Sequence, residues 1–162
     1  MVIGMNERAW LVKQYCRLVN ENIYFIQEYF EGIVPAGRPD DAIYWKTKAV
    51  CDQLKGLLVK QADREVNRIL EDYLKFAVEY FEQGNPWNTR EQDRKACRNT
   101  ILNSLQMIAN LTFWLDALGE EAAHSVTNWL ELDATWKVQS VHSGVELSGA
   151  EELVLPVISC GA

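Results

Sequence analysis

The chain has 162 residues, of which 48% are hydrophobic and 24% charged, and its formal net charge is −7. This length fits one domain and a core that removes roughly two thirds of the unfolded surface from water. The composition is that of a globular protein and excludes a disordered one, and no apolar run approaches the ~20 residues that span a bilayer.

The acidic balance bears on function. A free-standing nucleic-acid binder normally carries a basic surface, because phosphate contacts supply most of its affinity. An acidic chain would need a local basic patch, or a partner, to hold RNA. The first eight residues show no basic region followed by an apolar block, so no secretory leader is expected and the cytoplasm is the default location. Cys16, Cys51, Cys97 and Cys160 are widely spaced and lack neighbouring histidines, which predicts free thiols in a reducing compartment.

Apolar residues recur every three or four positions through most of the chain. In the first segment Leu11, Tyr15, Leu18, Phe25, Ile26, Tyr29 and Phe30 share a face, which predicts helix one over residues 7–31. Gly32 and the run Val34-Pro35-Ala36-Gly37-Arg38-Pro39 cannot continue it. Asp40 or Asp41 is then a good N-cap for helix two, which carries Ile43, Tyr44, Ala49, Val50, Leu54, Leu57 and Leu58. After a short break at 61–63, helix three carries Val66, Ile69, Leu70, Tyr73, Phe76, Ala77, Tyr80 and Phe81. It is expected to stop at Gly84-Asn85-Pro86, with the glycine as its C-terminal residue and the proline as the breaker. Helix four is predicted from Thr89 or Glu91, with Ile101, Leu105, Ile108, Leu111, Trp114 and Leu115 inward, ending at Gly119. A short helix five runs through Ala122, Val126 and Leu130. Beyond it, the stretches 144–149 and 153–158 read as extended or irregular and are expected to pack across the bundle. The fold class is all-α, a five-helix bundle with an irregular C-terminal tail, and residues 1–162 form a single domain.

The chain carries no phosphate loop of Walker or Rossmann spacing and no Gly-x-Ser-x-Gly elbow. His124 and His142 are its only histidines, which limits acid–base and metal chemistry. Glu121-Ala122-Ala123-His124 has the Glu-x-x-His spacing of carboxylate-bridged di-iron bundles, but His142 has Gln139 three residues before it and supplies no second motif. Acids at the start of helix five answer more simply to the helix dipole. No catalytic residue, metal site or cofactor is expected.

Glu79-Tyr80-Phe81-Glu82-Gln83-Gly84-Asn85-Pro86-Trp87 resembles the tyrosine…proline-tryptophan joint in the anticodon-binding domain of methionyl-tRNA synthetases. Further segments match in the same order: Leu18-Val19-Asn20, Phe25-Ile26 and Tyr29 to Pro35; Cys97 to Trp114; Ala123, Val126 and Leu130; Gly144 and the stretch from Leu153 to Ile158. The resemblance covers nearly the whole chain and implies an α-helical bundle. The family's nucleotide-binding half, with a His-Ile-Gly-His-like motif and a Lys-Met-Ser-Lys-Ser-like loop, has no counterpart here. The resemblance therefore implies the anticodon-reading half alone, unable to charge tRNA by itself.

In that family the tryptophan of the Pro-Trp joint meets an anticodon base, and Trp87 keeps this capacity, with Pro86 fixing the backbone before it. An aromatic face stacks on an unpaired base. An Asn and an Arg four apart on helix one form the second contact group; counted without gaps they fall on Arg17 and Glu21. Glu21 accepts hydrogen bonds and donates none at neutral pH. Arg17 and Glu21 are spaced to neutralise each other as an i,i+4 pair. Asn20 or Asn22 would enter only through a one-residue gap, against which the unbroken match from Leu18 to Pro35 argues. Arg90, Arg94, Lys95 and Arg98 follow Trp87. Arg94 and Arg98 share a face and are candidate phosphate contacts, with a solvated helix face as the plainer reading. The leading expectation is binding to a tRNA anticodon arm, methionine tRNA by resemblance. The alternative is a helical protein-interaction module docking a partner such as a synthetase through an exposed patch that includes Trp45, Trp129 or Trp136. Neither involves a membrane.

Overall fold

The computed structural model describes residues 3–153, with side chains from Arg8 onward. Among these residues six helices follow in chain order: α1 (Ile3–Tyr29), α2 (Asp41–Val59), α3 (Asp63–Gly84), α4 (Pro86–Gln92), α5 (Arg94–Ala117) and α6 (Glu121–Trp129). The all-α bundle is as the periodicity predicts, with one addition. The expected start of the long fourth helix near Thr89 is instead a separate short helix, so that helix begins at Arg94. The reason is local. Pro86 takes the first position of α4, where its fixed φ suits a helix and its missing N–H costs nothing. Asp93 then leaves helical geometry (φ −152°) and its carboxylate accepts from the Ala96 amide, capping α5.

α5 is the axis of the bundle and packs against α1, α2, α3, α4 and α6. Its Ile101, Leu105, Ile108, Leu111, Trp114 and Leu115 are all buried; removing one such side chain from water is worth about 1.5–3 kcal/mol. α3 sets Val66, Leu70, Tyr73, Leu74, Ala77 and Phe81 inward at helical spacing. Two buried hydroxyl pairs lie within this core: Tyr15 with Thr112 at 2.6 Å and Tyr73 with Thr47 at 2.7 Å.

α1 ends at Tyr29, two residues short of the expected end. Glu31 and Gly32 have positive φ (55° and 76°), and the Gly32 amide donates back to the Ile26 carbonyl. Asp40 is the N-cap of α2 and accepts from the Ala42 amide. At the far end of α3 the left-handed residue is Asn85 (φ 39°), not Gly84. Asparagine tolerates that conformation, whereas Gly84 is needed for closeness: a Cβ there would sit 2.6 Å from Thr100 Oγ1.

The irregular segments are held by side-chain amides that stand in for the pairing of a strand. Asn110 donates to the Gln139 carbonyl and accepts from its amide, and Gln106 does the same with Val141. Asn103 joins the Arg38 carbonyl and the Asp40 amide to α5. On α1, Asn20 pairs both ways with Leu153, and Gln27 donates to the Leu147 and Ala150 carbonyls. An isolated antiparallel bridge joins Ile33 to Glu146. Over the described residues the tail thus crosses the bundle as expected; 154–158 of the predicted terminal stretch, and Cys160, lie outside them. Cys16, Cys51 and Cys97 are free and buried. No helix among the described residues is long and apolar enough to cross a membrane.

Candidate nucleic-acid interface

The joint between α3 and α4 fixes the position of Trp87. The left-handed turn at Asn85 and the buried Pro86 carry the chain from α3 into α4, which packs on α5 and α3. The Trp87 ring then stands edge-to-face against Phe25 (centroids 5.3 Å apart, planes at 86°) and against Phe81 (5.4 Å, 88°). Both supporting rings are fully buried, whereas Trp87 is 40% exposed. A half-exposed indole held by two core rings offers a rigid aromatic surface at little conformational cost.

Beside it lies a recess of about 390 Å³ lined by Asn20, Glu21, Tyr24 and Gln27 of α1, Trp87 of α4 and Glu152 of the tail. Trp87 and Glu21, paired from the sequence, do share a site. Arg17 does not line it, and no ion pair forms between Arg17 and Glu21 among the described residues. The expected i,i+4 pair is corrected accordingly: Arg17 acts on Glu21 only at longer range. Partial burial pushes the Glu21 carboxyl above the usual carboxylate range, and the Glu82 carboxylate adds to this while Arg17 opposes it.

Arg94 and Arg98 line a different recess, of about 510 Å³, together with Arg90, Tyr29, Phe30 and Cys97. The Arg90 guanidinium lies over the Tyr29 ring, 4.3 Å from its centroid, and forms an ion pair with Glu91 at 3.3 Å. Neither Arg94 nor Arg98 has an ion-pair partner among the described residues. The Cys97 thiol donates to the Pro86 carbonyl at 3.6 Å, and burial raises it against the opposing influence of the nearby Thr89 hydroxyl and the charges of Arg98 and Arg90. The Phe25 and Tyr29 ring centroids lie 4.7 Å apart, so the buried Phe25 underlies both Trp87 on one side and Tyr29, with Arg90 over it, on the other. An acidic recess opens beside Trp87 and a basic one beside Arg90.

Sequence reasoning missed Tyr24, Gln27, Glu152 and the stacking of Arg90 on Tyr29. Tyr24 lies three residues from Glu21, a spacing that shares a helix face; the others depend on contacts between distant segments. Of the tryptophans expected at an exposed patch, only Trp45 fits. It is 64% exposed and packs on Tyr44. Trp136 is half-buried against Phe113, its indole donating to the Cys51 carbonyl, and Trp129 is half-buried against the core.

No protein-family model matches the chain. Curated methionine–tRNA ligases do. Methionine–tRNA ligase 1 of Bacillus cereus (strain ATCC 10987 / NRS 248) is 28% identical over 131 residues, which are 80% of this chain and 24% of that protein. The chain resembles one part of a methionyl-tRNA synthetase. Methionine–tRNA ligase 1 of Alkaliphilus oremlandii (strain OhILAs) is 25% identical over 138 residues, 85% of this chain and 26% of that protein. The chain therefore spans about a quarter of the length of these relatives. The fold agrees with apo Mycobacterium tuberculosis methionyl-tRNA synthetase, with a TM-score of 0.75 at 17% identity over 95% of this chain and 34% of that one.

Proposed function

We propose that this chain is a non-catalytic module that binds the anticodon arm of a tRNA. Trp87 stacks on an unpaired base of the loop, Pro86 fixes its approach, and Arg94 and Arg98, with Arg90, hold the backbone phosphates. One observation carries this reading: an indole 40% exposed is held edge-on by two buried rings beside a recess large enough for a base. Stacking of one base on such a ring is worth roughly 1–3 kcal/mol. The arginine recess answers the difficulty posed by a net charge of −7, because phosphate contact depends on local and not total charge. Resemblance to methionine–tRNA ligases makes methionine tRNA the first candidate.

Fluorescence anisotropy of a labelled stem–loop bearing CAU, against a scrambled loop, tests this at low and physiological salt. Preference for the CAU loop supports anticodon binding. Absence of binding even at low salt would falsify it.

The exposed Tyr44–Trp45 pair on α2 favours a second reading, a protein-interaction module that docks a partner such as a synthetase. It predicts binding that Trp45→Ala abolishes and Trp87→Ala leaves intact.

A further inference from the structure

At the end of α3 opposite Trp87, several donors meet without an acceptor. α3 begins after Ala62, which supplies no side-chain cap, so its first amides and the positive end of its dipole are left open. Arg64 and Arg68 follow four residues apart, and with Leu11 and Asn67 they line a recess of about 470 Å³. Like charges at this spacing repel each other. Neither arginine has an ion-pair partner among the described residues. The other charges nearby are already engaged. Arg8 pairs with Glu120 at 3.4 Å, and Glu71, which also lines the recess, pairs with Lys75 at 3.3 Å.

Asn67 is an independent sign. It is only 7% exposed, and its amide oxygen accepts from Arg8 Nε at 3.3 Å. An arginine nitrogen only donates, so the atom turned to it is the oxygen and the amide nitrogen is left over. That nitrogen meets no acceptor among the described residues. A buried donor in this state is costly, and a ligand that brings oxygens would satisfy it. The nitrogen is closed to solvent, so an oxygen reaches it only as the exposed Arg64 and Arg68 side chains rearrange around the incoming group. A carboxylate offers two oxygens in one plane. Donors spread over two turns of a helix suit a tetrahedral anion better.

We propose that this recess binds a phosphate group, with Arg64 and Arg68 on its anionic oxygens and the Asn67 nitrogen completing its shell. Two sources carry that chemistry: the backbone of the stem whose loop meets Trp87, which rests on the anticodon-arm reading, and a free phosphate, which does not. The stem is within reach. α1 and α3 run side by side in one direction, from Arg8 beside Asn67, through Trp10 and Gln14 beside Lys75 and Val78, to Glu21 near Glu82. The arginines and Trp87 therefore lie at the two ends of one seam, and Arg64 stands about 30 Å from Gly84 at the rise of a helix.

Two titrations of the full chain test the site and its source. Thermal melts in sodium phosphate, against sodium chloride of equal ionic strength, read the site alone. The melting temperature is expected to rise with phosphate. The double variant Arg64→Ala, Arg68→Ala loses this response, and so does Asn67→Asp, which keeps an oxygen for Arg8 and replaces the donor nitrogen. Anisotropy of CAU stem–loops, with stems shorter and longer than that span, reads the source. For a stem contact, the double variant weakens the long stem–loop alone and lowers its slope of log affinity against log salt by about 1, the value for one phosphate. A phosphate response without any effect of stem length assigns the site to a free phosphate. Melts indifferent to phosphate, with stems of both lengths binding alike, overturn the site, while CAU preference in the short stem–loop leaves the anticodon-arm reading standing. Absence of all stem–loop binding with the phosphate response intact overturns that reading and keeps the site.

Discussion

Trp87 meets Phe25 edge to face, with centroids 5.3 Å apart and planes at 86°. Phe25 lies at the centre of α1's buried face, so the exposed ring is seated directly on the core. The two residues therefore separate binding from stability. Trp87→Ala is expected to weaken stem–loop binding by about 1–3 kcal/mol and to cost less stability than the loss of the buried ring beneath it. Phe25→Ala leaves a cavity and costs about 3–5 kcal/mol of stability. Urea unfolding beside anisotropy distinguishes the two, and equal loss of stability in both variants contradicts the arrangement.

The arginine recess makes a prediction about salt. Arg98→Ala is expected to weaken all loops uniformly and to lower the slope of log affinity against log salt by about 1, and Arg94→Ala the same. A variant that alters the order of preference among loops, with an unchanged slope, indicates base contact and not phosphate contact.

Gly84 tests the joint that positions Trp87. A Cβ at this place meets Thr100 Oγ1 at 2.6 Å, so Gly84→Ala is expected to cost about 1–3 kcal/mol through overpacking. Thr100→Ala removes the obstructing atoms, and the double variant is expected to be more stable than the sum of the two losses implies. Additive losses in a double-mutant cycle contradict the contact.

Glu21 yields a pH dependence. Its carboxyl is raised above the usual range, first by partial burial and then by Glu82. The folded state accordingly holds that proton more tightly than the unfolded state. The stability this gives is complete below the ordinary carboxylate value and is lost as pH rises through the raised one. E21Q is expected to gain on the unaltered chain over the pH range that opens at the ordinary carboxylate value of about 4, by no more than about 0.5 kcal/mol at a surface position. Thermal melts of both proteins across that range check the sign; a gain toward low pH contradicts it.

The helices were legible because their apolar spacing is strong: Leu70, Tyr73, Ala77 and Phe81 on α3 recur at intervals that only a helix buries. The short helix α4 was not. Its stop depends on Asp93 choosing to cap α5, and a lone Asp in a polar run looks the same whether or not it caps. Trp87 could be named from the Pro-Trp pair, but the donor-poor character of its recess could not. That character arises because Asn20 and Gln27 spend their amides on a tail more than 100 positions away in sequence. Arg17 and Glu21 show the reverse failure, since correct helical spacing places two charges near each other without closing the pair.

Proton–nitrogen spectra of the tryptophan indoles, recorded while the CAU stem–loop is added, address the central claim most directly. Trp87→Phe assigns one signal and Trp45→Phe another. The Trp87 indole is expected to shift with saturation while Trp45 and Trp136 stay in place. An unmoved Trp87 signal at saturating RNA, or a shift confined to Trp45, contradicts it.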